Sequence, residues 1–116
     1  MRESAEIFFE FVKHLKEKSK SIPVIVEGKN DEKILRRFGV KNIRTLSGKN
    51  YFDLLEELPE NTEEVILLTD TDKQGEKIFK KLKSIFESQN IKVDGSFREF
   101  LKKFGIKEVE NLTKVF

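Results

Sequence analysis

Three acids in this chain of 116 residues stand where acids can do chemistry. Glu27 follows the short apolar run at 22–26 and is itself followed by Gly28; Asp70 and Asp72 follow the run at 65–69. Alternate residues of an extended segment point the same way, so Asp70 and Asp72 can converge on one point. Hard carboxylate oxygens, completed by water and substrate phosphate, suit Mg²⁺, with Mn²⁺ as a substitute. Without a cation, three neighbouring carboxylates repel and are pushed toward protonation. Lys29, Lys49 and Lys73 lie in the adjoining loops and could hold phosphate oxygens by charge. Gly28 allows close backbone approach beside Glu27, and Gly75 opens the next helix at an end that attracts anions. A lone D-x-D after a strand is more often a turn and helix cap. Its combination with Glu27 at a second strand end is what points to a metal centre.

The elements that must carry these residues follow from periodicity. Ala5, Phe8, Phe11, Val12 and Leu15 share one helical face, with Lys16, Lys18 and Lys20 near its C-terminal end. Strands are expected at 22–26, 43–46 and 65–69, with a brief extended stretch at 91–93. Between them, helices are expected from Asn30 or Asp31 (either able to cap) to Phe38, from Tyr51 to Leu58, and after Gly75 with Ile78, Phe79, Leu82, Ile85 and Phe86 inward. Phe97, Phe100, Leu101 and Phe104 form a last helical face, and 109–112 offers a strand returning to the sheet edge. Short buried strands alternating with helices predict an α/β fold: a Rossmann-like, mostly parallel sheet of about four strands with helices on both faces. In such sheets ligands gather beyond the C-terminal strand ends, where all three acids fall.

Charged residues make up 38% of the chain, yet 23 Lys and Arg nearly cancel 21 Asp and Glu. The balance is local: residues 29–49 hold seven bases and two acids, 50–64 hold six acids and no base, and 73–83 hold five Lys and one Glu. Such blocks are either solvated helix faces or cationic segments flanking an anionic ligand. There is no Cys, which excludes disulfides, thiolate metal sites and thiol nucleophiles and fits a reducing cytoplasm. No apolar run approaches the roughly 20 residues of a membrane span, and the acid-bearing N-terminus does not read as a signal peptide. Eleven Phe without Trp indicate a Phe-packed core. Abundant Lys and Glu with few Gln follow the drift of heat-adapted proteins.

Val24-Ile-Val-Glu27-Gly28-Lys-Asn-Asp31, together with Val65-Ile-Leu-Leu-Thr-Asp70-Thr-Asp72-Lys-Gln-Gly75, resembles the two motifs of the Toprim domain. That domain is shared by type IA and type II topoisomerases, bacterial primases, 5S ribosomal RNA maturases, overcoming-lysogenization-defect nucleases and recombination mediators. Motif order, the preceding strands and the spacing all match. The resemblance implies a single Toprim-like domain over 1–116, with a motif-bearing core at 22–90, an N-terminal helix at 1–20, and a C-terminal helix with an optional edge strand at 91–116. It implies Mg²⁺ on Asp70 and Asp72, and Glu27 as general acid or base or as a further ligand. Asp31 matches the acid that follows Glu-Gly in several branches, or it is a helix cap. The Glu-Gly-Lys-x-Asp form is similar to the ribosomal RNA maturases and small stand-alone Toprim proteins, although the maturases' further C-terminal region is missing. Type IA topoisomerases carry an acid at the place of Gln74, and topoisomerases need a Tyr nucleophile, whereas Tyr51 reads as packing.

Other chemistries fit poorly. Gly48-Lys49 lacks the earlier glycine and following hydroxyl of a phosphate loop. His14, the sole His, sits beside Lys13 on a helix and offers no triad. A haloacid-type phosphohydrolase would carry its D-x-D on the first strand, and a receiver domain an acidic pair there. The expected function is Mg²⁺-dependent phosphodiester chemistry on nucleic acid, RNA or DNA: a small Toprim nuclease, a hydrolase of RNA-processing type. Lys77, Lys80, Lys81 and Lys83 would add backbone affinity. The alternatives are a non-catalytic nucleic-acid- or protein-binding module of a larger assembly, in which a protein partner supplies recognition, and primase-like nucleotidyl transfer. No membrane partner is expected.

Overall fold

The structure is a computed structural model that describes residues 2–109 and 112, with side chains from residue 5 onward. Helix α1 (Arg2–Ser19) leads into β1 (Val24–Val26), α2 (Lys29–Arg37), β2 (Ile43–Thr45), α3 (Tyr51–Glu57), β3 (Glu64–Leu67), α4 (Lys73–Ser88), β4 (Lys92–Asp94) and α5 (Ser96–Lys103). The strands form one sheet in the order β2-β1-β3-β4, and every neighbouring pair is parallel. Val24 pairs with Ile43 on one side and Ile66 on the other, so β1 and β3 are adjacent at the centre. The pairing runs past β3, because the Leu68 N–H donates to the Ile25 carbonyl at 2.9 Å.

Alternation along the strands divides the core in two. Val24, Val26, Ile43, Ile66 and Leu68 pack with Phe11 and Leu15 of α1, Leu35 of α2 and Leu101 of α5. Ile25, Val65 and Leu67 face the other way, against Leu54 of α3 and Leu82 and Phe86 of α4. Right-handed crossovers explain the sorting: β1 to β2 steps outward with α2 on one face, while β2 to β3 and β3 to β4 step the other way and place α3 and α4 opposite. The expected α/β fold, with a parallel sheet of four strands covered on both faces, is what the chain adopts.

Two local expectations need correction. Neither Asn30 nor Asp31 occupies the N-cap position of α2. Gly28 occupies the cap position, and Asp31, on the first helical turn, accepts the Gly28 N–H through Oδ2 at 3.0 Å. The return to the sheet at 109–112 is also not what the described residues do. Val109 and Leu112 are each in helical conformation and buried against the α1, α2 and α5 side of the core; residues 110 and 111 lie outside the described residues. Gly105, at φ +70°, turns the chain after α5 across the strand ends, where Thr71 donates its N–H to the Lys107 carbonyl (2.7 Å) and its hydroxyl to the Ile106 carbonyl (3.0 Å). Those bonds hold residues 106–109 over the sheet rather than beside an edge strand.

Candidate metal centre at the strand ends

Because β1 leads outward to β2 while β3 leads to the opposite side, the chain parts between β1 and β3. That is the crevice where open α/β sheets collect ligands. Glu27 leaves β1 there, and the segment Leu68 to Asp72 leaves β3 there. The two are joined directly: Glu27 Oε2 accepts the Asp70 N–H at 2.7 Å. Asp70 Oδ1 accepts the Val109 N–H at 3.0 Å, and Asp72, the N-cap of α4, accepts the Gly75 N–H through Oδ1 at 2.7 Å. Each of the three carboxylates is thus oriented by one backbone N–H, and the second oxygen of each takes no hydrogen bond among the described residues.

Burial and crowding show in the protonation of Asp70 and Glu27. Burial pushes the Asp70 carboxyl up to about 6, against the opposing Val109 N–H, and the charges of Asp31, Asp72 and Glu108 push in the same direction as burial. Glu27 is raised, first by burial and further by Asp70 and Asp72, with the Asp70 N–H and Arg98 opposing. A divalent cation would relieve this repulsion. Among the described residues, no three acids or imidazoles already stand close enough to enclose a metal on their own. Mg²⁺ commonly takes only one or two carboxylates and fills its remaining positions with water and phosphate. The donor set, hard oxygens with one lobe each uncommitted, fits that ion in kind.

A concavity of about 330 Å³ opens at this edge, lined by Glu27, Gly28, Lys29, Asn30, Asp31, Ser47 and Asp70. Asp72 lies outside that lining, although its charge is felt at both Glu27 and Asp70. Two larger grooves, of about 650 and 490 Å³, run along α1 between aromatic side chains and contain none of the three acids. Of these three, the smaller concavity is the one that brings Glu27 and Asp70 together at the crevice.

The lysines divide. Lys29 is exposed on the rim, and Lys73 is exposed on the first turn of α4. Lys49 turns away to pair with Glu57 of α3 at 2.9 Å. The glycines divide as well. A Cβ on Gly75 would stand 2.0 Å from the Asp70 carbonyl oxygen, so the D-x-D segment folds back onto α4 only because that position has no side chain. A Cβ on Gly28 would meet Ser47 and Asp31 at ordinary distances of 3.7 and 3.8 Å, and its φ is −139°; close approach does not explain Gly28. His14 lies on α1 beside Glu10, away from the crevice.

Two groups escape a reading by motif. Glu108 reaches the site only through the turn at Gly105. Arg98, on α5, is 2% exposed and bonds to Thr69, the Asp70 carbonyl and Glu76. Its one signal in the sequence is its place between Phe97 and Leu101, at the flank of the apolar face of a short helix.

A parallel sheet in this order, with an acid after its first strand and a D-x-D after its third, defines a Toprim-like class of protein. The family model described as Toprim domain matches residues 23–107, and the chain belongs to that family. It is 32% identical over 112 residues to a UPF0292 protein of Methanocaldococcus jannaschii, spanning 92% of this chain and 88% of that one. A UPF0292 protein of Pyrococcus furiosus is 35% identical over 115 residues, 98% of this chain and 85% of the other. A solved structure of a protein from Aquifex aeolicus is 46% identical and superposes with a TM-score of 0.86 over 89% of this chain and 95% of that chain. At the coarse level, membership implies metal-dependent chemistry on nucleic acid, with Mg²⁺ the ion that Toprim domains generally bind. No helix among the described residues is long and apolar enough to cross a membrane.

Proposed function

We propose that this chain is a Mg²⁺-dependent phosphodiester enzyme, a small Toprim nuclease acting on RNA or DNA, in which residues 1–116 work as one cytoplasmic unit. The observation that carries this reading is the set of three oriented carboxylates at the β1–β3 crevice, each with one uncommitted oxygen. Asp70 and Asp72 would hold the ion, with Glu27 as a further ligand or as the proton-transfer group. A bound Mg²⁺ supplies polarisation of the scissile phosphate and a lowered pKa for a coordinated water.

The protein's own part is placement and proton handling. Glu27 is held through Oε2, so Oε1 would be the atom that takes a proton from the attacking water or returns one to the leaving oxygen. In the metal-free chain burial, with the charges of Asp70 and Asp72 behind it, holds this carboxyl above the ordinary Glu value. Lys29 on the rim and Lys73 on α4 would bind flanking phosphates as point charges. Lys49, already paired with Glu57, would contribute only after that exposed pair opens. Lys77, Lys80, Lys81 and Lys83 on α4 would extend affinity along the backbone.

Purified protein with Mg²⁺ or Mn²⁺ is expected to cut RNA or DNA, and Asp70→Asn is expected to abolish cutting. No cleavage of either polymer, or undiminished cleavage by Asp70→Asn, would defeat the proposal. Salt-sensitive binding that survives loss of both Asp70 and Asp72, without turnover, would instead identify a binding module that depends on a protein partner. Incorporation of nucleoside triphosphates would identify a nucleotidyl transferase.

A further inference from the structure

Arg98 makes an unusual set of contacts for a surface-rich chain. Its guanidinium is buried, and Nε donates to Thr69 Oγ1 at 3.0 Å. Nη2 donates to the Asp70 carbonyl at 3.0 Å and to Glu76 Oε2 at 2.7 Å. Its Cζ lies over the Phe79 ring, 4.7 Å from its centre, and Gly95 leaves room for that ring, since a Cβ there would come within 3.0 Å of it. Thr69 passes the connection on, donating its hydroxyl to the Gly75 carbonyl at 3.0 Å. One planar side chain therefore grips both ends of the segment bearing Asp70 and Asp72: the strand exit at Thr69 and Asp70, and the first turn of α4 at Glu76.

Burying an ion pair seldom stabilises more than well-packed apolar groups of the same volume would. The position is thus poorly explained by stability alone. What an apolar residue could not supply is a forked set of donors at fixed angles, and Lys, whose three N–H donors share one nitrogen, lacks the planar spread that serves these three acceptors. The grip also complements Gly75, whose missing side chain admits the same Asp70 carbonyl that Arg98 holds.

We propose that Arg98 is the positioning residue of the strand-end site, tying the exit of β3 to the start of α4 and so fixing the separation of Asp70 and Asp72. The inference builds on the metal-binding reading above for its functional consequence, while its structural half stands on the bonds themselves. It assigns Arg98 no contact with substrate or metal.

The test compares wild type, Arg98→Met and Arg98→Lys as full chains, with two readouts. The first is amide hydrogen exchange by NMR in metal-free protein at Asp70, Thr71 and Gly75, whose N–H groups bond to Glu27, the Lys107 carbonyl and Asp72. Exchange there should rise at least about tenfold in Arg98→Lys, while the sheet amide of Ile66, bonded to the Pro23 carbonyl, stays as in wild type. A merely structural role would raise all of these together through global unfolding, and that result, or no change, would overturn the proposal. The second is Mn²⁺ affinity by titration: a loss of at least about fivefold in the folded variants is expected, and affinity within twofold of wild type overturns the functional half. Should Arg98→Met not fold, Arg98→Lys decides, because it keeps the buried charge and removes the fork. Should wild type bind no Mn²⁺, the metal reading fails, and the exchange rates still decide whether Arg98 holds the segment.

Discussion

Replacing Asp70 by Asn should make the metal-free protein more stable at neutral pH. Asn keeps the shape and the Oδ1 acceptor that receives the Val109 N–H, so the change removes chiefly the charge. Burial and the neighbouring acids raise the Asp70 carboxyl from 3.8 to about 6 in the folded chain. The folded state therefore holds this proton more tightly than the unfolded state does. Below the unfolded value both states are protonated and the group carries no penalty. Between that value and about 6 the unfolded state loses its proton first, and stability falls until the full penalty is reached above about 6. At about 1.36 kcal/mol per pH unit the interval sets a ceiling near 3 kcal/mol. Screening by solvent at a half-buried carboxylate reduces this to about 1–2 kcal/mol. Asp70→Asn should then gain about 4–8 °C in Tm at pH 7.5 with chelator present, and nothing near pH 3.5. Urea denaturation across that range supplies the assay. Saturating Mg²⁺ should raise wild type and leave the variant unchanged, since only a ligand of the folded state stabilises it. A variant less stable than wild type at pH 7.5, or a difference flat with pH, would refute the reasoning.

Three further outcomes follow from the same geometry. Gly75→Ala should cost at least about 2 kcal/mol by urea midpoint, because its Cβ would collide with the Asp70 carbonyl, whereas Gly28→Ala should stay within about 0.5 kcal/mol. Lys73→Gln should weaken nucleic-acid binding and lower the slope of log affinity against log salt by about 0.7–0.9, read from fluorescence anisotropy titrations at several salt concentrations. The Lys- and Glu-rich composition predicts a Tm above about 60 °C by calorimetry; a lower value would contradict heat adaptation.

Much of the site was legible because its logic is local. A branched apolar run ending in Glu-Gly and another ending in Asp-Thr-Asp announce two buried strands with acids at one edge, and parallel pairing carries both to the same side. Gly75 was legible as important, but for a different reason: its role is to admit the Asp70 carbonyl, a contact made by the chain folding back on itself. What escaped depends on distant partners. Arg98 beside Phe97 looks like an exposed helix charge until α5 docks over the end of β3. Lys49 looks available for phosphate until α3 brings Glu57 to it. The acidic block at 50–64 likewise resolves in part into tertiary pairs, Glu57 with Lys49 and Glu64 with Lys18 at 2.9 Å. Val109 reads as strand by composition, yet its N–H is used to orient Asp70, and no edge pairing competes with that bond among the described residues.

The central claim, a divalent cation held by the acids at the β1–β3 crevice, is tested most directly by anomalous diffraction from crystals of the full chain soaked in Mn²⁺. The account predicts a peak bridging Asp70 and Asp72 on the side that Glu27 faces, absent from Asp70→Asn crystals treated identically. Crystals at saturating Mn²⁺ with no peak there, or with the two aspartates turned away from a shared point, would contradict it.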